Sequence, residues 1–201
     1  MVYWLNIHQN PIYLNTNQEG IKNYYEYFDS IVNKSFIIYY NPLRSNQYIT
    51  LNTWKSLLNL KWFIGVKDAS MNLTYNNNLM DLMKNHFYFT GNDSLYYLHL
   101  TYGSSGIISS LSNALPDIFV KMYFLYKNKE YDIVAKMFSK YTKLINVINL
   151  EPNPIGLKFF MNHLGFNVGN PLFPLELFSK NSQIKLKSVY KELQNENINY
   201  W

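Results

Sequence analysis

The expected fold of this chain depends most on one stretch of nine residues, Trp62-Phe63-Ile64-Gly65-Val66-Lys67-Asp68-Ala69-Ser70. Its apolar beginning predicts a short buried strand over residues 62–66. Lys67 then places a primary amine at the exit of that strand, where parallel α/β folds keep their reactive groups. An amine held there loses its proton more easily than one in water, and it can attack a carbonyl carbon to form a Schiff base. Most lysines are solvated surface charges, so this segment alone leaves a surface role open.

Short apolar strands alternate with helical stretches on both sides of this segment. The pattern predicts strands over residues 2–7, 36–40, 62–66, 86–90 and 106–109. It predicts helices over residues 16–32, 51–58, 75–84 and 93–100, the first one opening with a Thr16-x-x-Glu19 capping box. Because strand and helix alternate at this spacing, the sequence predicts βα units and a parallel sheet.

The pattern becomes purely helical after Asn113. The apolar residues that recur there at spacings of three and four are Tyr131, Val134, Phe138, Tyr141, Leu144, Ile145 and Ile148. They predict one buried helical face. Pro152 and Pro154 interrupt the chain, and further helices are predicted over residues 155–164 and 182–197. An α/β portion is therefore followed by a helical portion.

Composition limits the class of protein. The chain has 201 residues, of which 48% are hydrophobic and 15% charged, so it has enough apolar sequence to build a core. No apolar run approaches the roughly 20 residues of a bilayer span, and no signal peptide is recognisable at the N-terminus. With no cysteine present, disulfides and thiolate chemistry are excluded. These features predict a cytoplasmic protein that does not bind membranes.

The positive charge has two interpretations. A net charge of +5 and a pI of about 9.1 are compatible with a nucleic-acid partner. The lysines are scattered rather than clustered, which favours a codon bias toward Lys, Asn, Ile and Tyr and predicts no nucleic-acid binding. The four histidines have no metal-ligand spacing, so no metal is expected. No cofactor is expected either.

Six segments of the chain occur in an order and spacing that resemble one enzyme family. They are residues 11–20 (PIYLNTNQEG), 39–45 (YYNPLRS), 65–70 (GVKDAS), 91–93 (GND), 106–109 (GIIS) and 151–155 (EPNPI). They resemble the PYYxxPxQEG, YNVPSRTG, GIKEATGNL, SGDD, GVIS and EPNPI segments of the dihydrodipicolinate synthase and N-acetylneuraminate lyase family of class I aldolases. Each segment is a weak pattern alone, whereas six in order make a chance match improbable.

The resemblance implies an α/β fold, a TIM (β/α)8 barrel followed by a C-terminal helical domain. Aligned in this way, the chain supplies about the last five βα units, so the expected fold is an incomplete barrel over residues 1–128 and helices over residues 129–201. Such a sheet has open edges. A homo-oligomer, either dimer or tetramer, or a complementing N-terminal fragment is the expected partner.

The resemblance also implies a reaction. Lys67 would form a Schiff base with pyruvate, and the resulting enamine would attack L-aspartate 4-semialdehyde to give 4-hydroxy-tetrahydrodipicolinate, in diaminopimelate and lysine biosynthesis. Tyr40 corresponds to the family's proton-transferring tyrosine, and Tyr13 to the one that crosses a dimer interface. Strand packing for Tyr40 and interface packing for Tyr13 are the alternatives.

Three residues correspond to substrate-binding positions of the family. Arg44 would bind the carboxylate of the aldehyde substrate, although it lies four residues after Tyr40 where the family spacing is five. Gly91 and Ile108 would line the pyruvate pocket, Ile108 through its backbone carbonyl. Strand-end packing is the alternative for both.

Two departures from the family keep other functions open. No Thr-Thr-Gly occurs in the chain, so the family's relay threonine and half of its carboxylate cradle are absent. Position 12 is Ile12 where lysine-inhibited members usually have a tyrosine, and inhibition by lysine is predicted to be absent. The alternatives are another pyruvate-dependent aldolase, of the N-acetylneuraminate lyase type, or a non-catalytic truncated remnant or assembly subunit.

Overall fold

A computed structural model describes residues 6–11 and 15–195. The chain divides into two compact units, Met1–Ile108 and Ser109–Trp201. The predicted domain boundary after residue 128 stays a prediction, and the helix Pro116–Lys127 belongs to the second unit. No helix within the described ranges is long and apolar enough to cross a bilayer.

The first unit is built on a parallel sheet. Its described strands are β1 (Asn6–Gln9), β2 (Phe36–Tyr40), β3 (Phe63–Asp68), β4 (Phe87–Thr90) and β5 (Gly106–Ile107). They pair in sequence order and all in parallel, with β1 and β5 at the two edges of the described sheet. The α/β prediction and the parallel sheet are confirmed. Residues 2–5 of the predicted first strand lie outside the described residues.

Helices connect these strands. They are α1 (Gln18–Ile31), α2 (Pro42–Ser45), α3 (Leu51–Leu57), α4 (Leu73–Leu82) and α5 (Tyr96–Thr101). The N-cap of α1 is Asn17, whose side chain accepts a hydrogen bond from the Gly20 amide over 2.9 Å. The predicted capping box at Thr16 is therefore wrong by one residue. Asn17 provides the stronger cap because its carboxamide reaches the free amide of the first turn.

The two faces of the sheet carry different residues. One face packs on the helices in a buried cluster of Phe36, Ile38, Tyr40, Val66, Tyr88, Tyr25 and Trp54. We call it the helix face. Successive side chains of a strand point to opposite sides, so Tyr39 and Lys67 lie on the other side, which we call the lysine face. Residues that pack in the core therefore alternate along β2 and β3 with residues of the lysine face.

The second unit is helical. Its helices are α6 (Pro116–Lys127), α7 (Tyr131–Ile148), α8 (Ile155–His163) and α9 (Lys180–Asn195). The buried face of α7 includes Val134, Leu144 and Ile148, as predicted, together with Met137. Tyr131, in the first turn of α7, is 46% exposed and lies outside that face.

His99 is an unusual core residue of the first unit. It is fully buried in α5, and neither ring nitrogen has a hydrogen-bond partner among the described residues. Its ring meets the edge of Tyr88 at a centroid distance of 5.8 Å. Burial lowers the pKa of His99 from 6.5 to about 4, because a charged imidazolium cannot be solvated there.

This histidine should make the fold acid-sensitive. His99 is protonated near pH 6.5 in the unfolded chain but only near pH 4 in the folded chain. The contribution of the neutral, buried ring to the free energy of unfolding is therefore complete above pH 6.5 and is lost as the pH falls toward 4. The loss should amount to about 3 kcal/mol in the free energy of unfolding. Urea titrations at pH 7.5 and pH 4 measure it. His99→Leu should flatten the pH dependence by that amount, and an unchanged slope in the variant would contradict the assignment.

Candidate active site

The candidate residues that the structure describes lie at one end of the sheet. Because β2, β3, β4 and β5 are parallel, their carboxyl ends lie along the same end of the sheet, which we call the carboxyl edge. Tyr40 is in register with Asp68, and Asp68 with Thr90. The backbone amide of Gly91 donates to the Asp68 carbonyl over 2.6 Å, and that of Ile108 donates to the Thr90 carbonyl over 2.9 Å. Reactive groups of parallel α/β enzymes occupy this edge.

Lys67 is half-buried on the lysine face, beside the ring of Tyr39. These two residues are register partners of β3 and β2, and the Lys67 Nζ lies 4.4 Å from the Tyr39 ring centroid. Burial lowers the pKa of Lys67 from its usual value, while the carboxylate of Asp93 opposes this shift. Asp93 follows β4 and is 8% exposed. The site therefore favours the neutral, nucleophilic form of the amine more than bulk water does.

Asp68 anchors the exit of β3 from the opposite face. It is fully buried, and its carboxylate accepts hydrogen bonds from the Ser70 amide, the Asn76 side-chain amide and the Tyr88 hydroxyl, each over 2.7 Å. Burial raises the pKa of Asp68, and these hydrogen bonds oppose the rise. The network fixes the strand directly after Lys67, so the backbone that carries this lysine is held on its helix side.

Tyr40 lies on the helix face and does not meet Lys67. Its ring packs at 5.9 Å from Trp54 and at 5.4 Å from Tyr75. Its hydroxyl has no partner with hydrogen-bond geometry among the described residues. Burial raises the pKa of Tyr40 well above its usual value, and the neighbouring Tyr75 hydroxyl opposes the rise only in part. This environment is that of a core residue, so the geometry does not favour the role expected for Tyr40.

Tyr39 is the phenol that faces the lysine. It is partly exposed, and its hydroxyl accepts a hydrogen bond from the Asn41 side-chain amide over 2.8 Å. The sequence held a signal for this residue, because Arg44 lies five residues after Tyr39, which is the family spacing. Taking Tyr39 as the matching residue removes the one-residue gap that Tyr40 requires.

Tyr13, Arg44 and Ile108 are the remaining candidate residues. Tyr13 lies outside the described residues. Arg44 is exposed in α2, the short helix that directly follows β2. Ile108 follows β5 at the carboxyl edge of the sheet. No group of three or more His, Asp or Glu side chains within the described ranges could hold a metal ion.

Gly91 borders the lysine side chain. A Cβ at this position would lie 3.1 Å from Lys67 Cε, 3.0 Å from the Ala69 Cβ and 3.1 Å from the Asp68 carbonyl oxygen. These distances are shorter than ordinary carbon contacts. The glycine therefore leaves the room that the Lys67 side chain occupies.

Gly91→Ala should displace Lys67, and the Asp68 carbonyl and the Ala69 Cβ must also shift by a few tenths of an ångström. The Lys67 side chain is the flexible neighbour, so we expect it to shift and the rate at which its amine forms an imine with a small ketone to fall by about 10- to 100-fold, since a misplacement of about 1 Å can cost that much. Borohydride trapping against time measures the rate, and circular dichroism checks the fold. Trapping at the original rate by a folded variant would argue against the steric role.

A family model for the dihydrodipicolinate synthetase family matches residues 6–193. The chain belongs to this family. Among its relatives is the 4-hydroxy-tetrahydrodipicolinate synthase of Caldicellulosiruptor bescii, which is 31% identical over 184 residues, 91% of this chain and 62% of the relative. The enzyme of the same name from Brachyspira hyodysenteriae is 28% identical over 179 residues, 89% of this chain and 61% of the relative. The chain thus spans less than two thirds of the length of these relatives.

Solved structures of the dihydrodipicolinate synthetase family have the same fold. The dihydrodipicolinate synthase of Thermotoga maritima superposes with a TM-score of 0.89 at 25% identity, covering 94% of this chain and 65% of that one. The enzyme from Acinetobacter baumannii, solved in complex with pyruvate, superposes with a TM-score of 0.89 at 21% identity, covering 94% and 66%. The second likeness concerns the fold alone.

Proposed function

We propose that this chain is a class I aldolase that forms a Schiff base with pyruvate through Lys67. The observation that carries the proposal is a half-buried amine at the carboxyl end of β3, with a lowered pKa and a phenol beside it, in a chain of this family. Burial supplies neutral amine for attack on a ketone. The proposal requires no cofactor, because the protonated imine is itself the electron sink.

The first half of the reaction activates pyruvate. The Lys67 amine adds to the ketone carbon to give a carbinolamine, and loss of its hydroxyl as water leaves the imine. The imine draws electrons from the methyl carbon, so a methyl proton passes to the deprotonated Tyr39 oxygen, which restores the phenol, and an enamine remains. Tyr39 is the phenol that we assign to protonate the departing hydroxyl, since it lies on the lysine face.

The second half joins the two substrates. The enamine carbon attacks the aldehyde carbon of L-aspartate 4-semialdehyde, and the aldehyde oxygen takes a proton, again from Tyr39 in this proposal. Arg44 would bind the carboxylate of the aldehyde substrate. The amine of the product then attacks the imine carbon and displaces Lys67, which releases cyclic 4-hydroxy-tetrahydrodipicolinate. Gly91 and Ile108 would border the pyruvate, and Tyr13 would connect the site to solvent.

Partners belong to the same proposal. β1 and β5 are edge strands of the described sheet, and Ile7 of β1 is 45% exposed. An exposed edge strand pairs readily with another chain. We propose that a second copy of this chain or a complementing N-terminal fragment covers the exposed edge strand. Sedimentation of the purified chain tests this, since a dimer or larger species would favour the second copy and a monomer would favour the fragment. A location in the cytoplasm stays a prediction.

Borohydride reduction in the presence of pyruvate, followed by peptide mapping, tests the function. A reduced pyruvyl adduct on Lys67 is the expected result. Assays with L-aspartate 4-semialdehyde against sugar aldehydes then separate the proposed reaction from that of an N-acetylneuraminate lyase. A folded chain that forms no adduct would refute the proposal and favour the assembly role.

A further inference from the structure

Asn41 occupies the N-cap position of α2, but its side chain does not cap the helix. Asparagine is a favoured N-cap residue because its side chain accepts a hydrogen bond from the first turn of the helix. Asn41 is the N-cap of α2, yet its side chain makes no capping bond. Its amide nitrogen instead donates to the Tyr39 hydroxyl over 2.8 Å. The side chain therefore serves the strand that precedes it rather than the helix that follows.

The backbone of Asn41 is held in place independently. Its carbonyl accepts hydrogen bonds from the Arg44 amide over 3.1 Å, and from the Ser45 amide and hydroxyl, each over 3.0 Å. Asn41 is only 8% exposed. The carboxamide is thus presented to Tyr39 from a fixed backbone, and the same residue begins the turn that carries Arg44.

This contact determines what the Tyr39 hydroxyl can do. A phenol has one proton to donate and an oxygen that accepts. When the Asn41 amide donates to that oxygen, the phenolic proton is not used in their contact and is free for another acceptor. A phenol that acts as general acid needs that arrangement, because its proton must go to the oxygen of the substrate.

We propose that Asn41 is a positioning residue, which orients the Tyr39 hydroxyl so that its proton is donated to the substrate oxygen. The inference rests on the proposed function, since it assigns the residue that prepares the acid of the same reaction. Asn41 itself touches Tyr39 and not the reacting atoms. It also links the acid to Arg44, because one residue fixes both the phenol and the turn that bears the guanidinium.

A double-mutant cycle separates this role from a purely structural one. Asn41→Leu removes the amide and keeps the number and branching of the side-chain heavy atoms, and we expect kcat to fall about tenfold, the scale of one lost hydrogen bond, with the KM for pyruvate within about twofold. In a Tyr39→Phe background the same change should alter kcat by less than about twofold, because its target is gone. Equal losses in both backgrounds would overturn the inference.

Two further variants define the direction of the contact and its control. The carboxylate of Asn41→Asp can only accept hydrogen bonds, so it should accept one from the Tyr39 hydroxyl and keep that proton from the substrate. This variant should therefore lower kcat more than Asn41→Leu does. Ser45→Ala removes a hydrogen bond to the Asn41 carbonyl without changing the amide, and kcat should stay within about threefold. An aspartate variant as active as the unsubstituted chain would overturn the inference.

A spectroscopic measurement keeps this inference distinct from the proposed function. In chains labelled at the tyrosine ζ-carbon, the Tyr39 resonance is assigned by its loss in Tyr39→Phe, and it should shift in Asn41→Leu. A resonance that does not shift would refute the contact. A chain that traps pyruvate but lacks coupling between the two positions keeps the proposed function and overturns the inference, whereas a chain that traps none overturns both.

Discussion

Lys67→Met should abolish the pyruvate adduct and lower aldol activity by roughly 10⁴-fold or more, the scale seen when a covalent nucleophile is removed. Methionine keeps the length and apolar stem of lysine but has no amine, so the imine cannot form. Because Lys67 is half-buried and its charge is disfavoured by burial, the variant should fold at least as well as the unsubstituted chain. Borohydride trapping and a coupled assay measure the two losses.

Lys61 offers a matched control for this experiment. It lies just before β3, and its ammonium lies 4.6 Å from the Trp62 ring centroid, much as Lys67 lies over Tyr39. Lys61 is exposed at the opposite end of the strand. Lys61→Met should leave trapping and activity within about twofold, since surface charges contribute little there. Loss of the adduct in this variant, or its persistence in Lys67→Met, would refute the assignment of the nucleophile.

Tyr39→Phe and Tyr40→Phe should have opposite signatures. Loss of the Tyr39 hydroxyl removes the proposed general acid, and kcat should fall by about 10²- to 10⁴-fold. The adduct on Lys67 should still accumulate under borohydride, but more slowly, because the same phenol assists the loss of water from the carbinolamine. Loss of the Tyr40 hydroxyl removes a buried polar group without a hydrogen-bond partner in the described structure. Kinetics should then change by less than about threefold, and the free energy of unfolding should rise by up to about 1 kcal/mol.

Steady-state kinetics and urea titrations on both variants decide between the two tyrosines. A large loss of kcat in Tyr40→Phe with little effect of Tyr39→Phe would return the acid role to Tyr40. It would also require β2 to present its other face to Lys67, which the register of β2 with β3 does not allow.

The sequence predicted much of the sheet and missed its finer geometry. β2 was predicted with its bounds because Phe36-Ile37-Ile38-Tyr39-Tyr40 is β-branched and aromatic throughout. The position of Lys67 at the exit of β3 also followed from the apolar run before it. The short helix α2 was not predicted, because four residues are too few for a helical period to be recognised.

The choice between two adjacent tyrosines depended on information that local sequence does not carry. Tyr39 and Tyr40 have the same side chain and the same strand propensity, and only pairing with β3 decides which one faces Lys67. That pairing joins residues far apart in the chain. The one local signal was the five-residue spacing from Tyr39 to Arg44. The Asn41 contact could not be predicted, since asparagine at a helix start normally caps.

The division of β3 into alternating chemical and packing residues restricts how this gene can change in length. Deleting or inserting a single codon inside β3 would exchange the two sets, turning Lys67 toward the helix face and the buried Asp68 carboxylate toward the lysine face. Such a change removes the nucleophile and leaves an ammonium without solvent in one step. Gains and losses of codons should therefore be confined to the connections between strands.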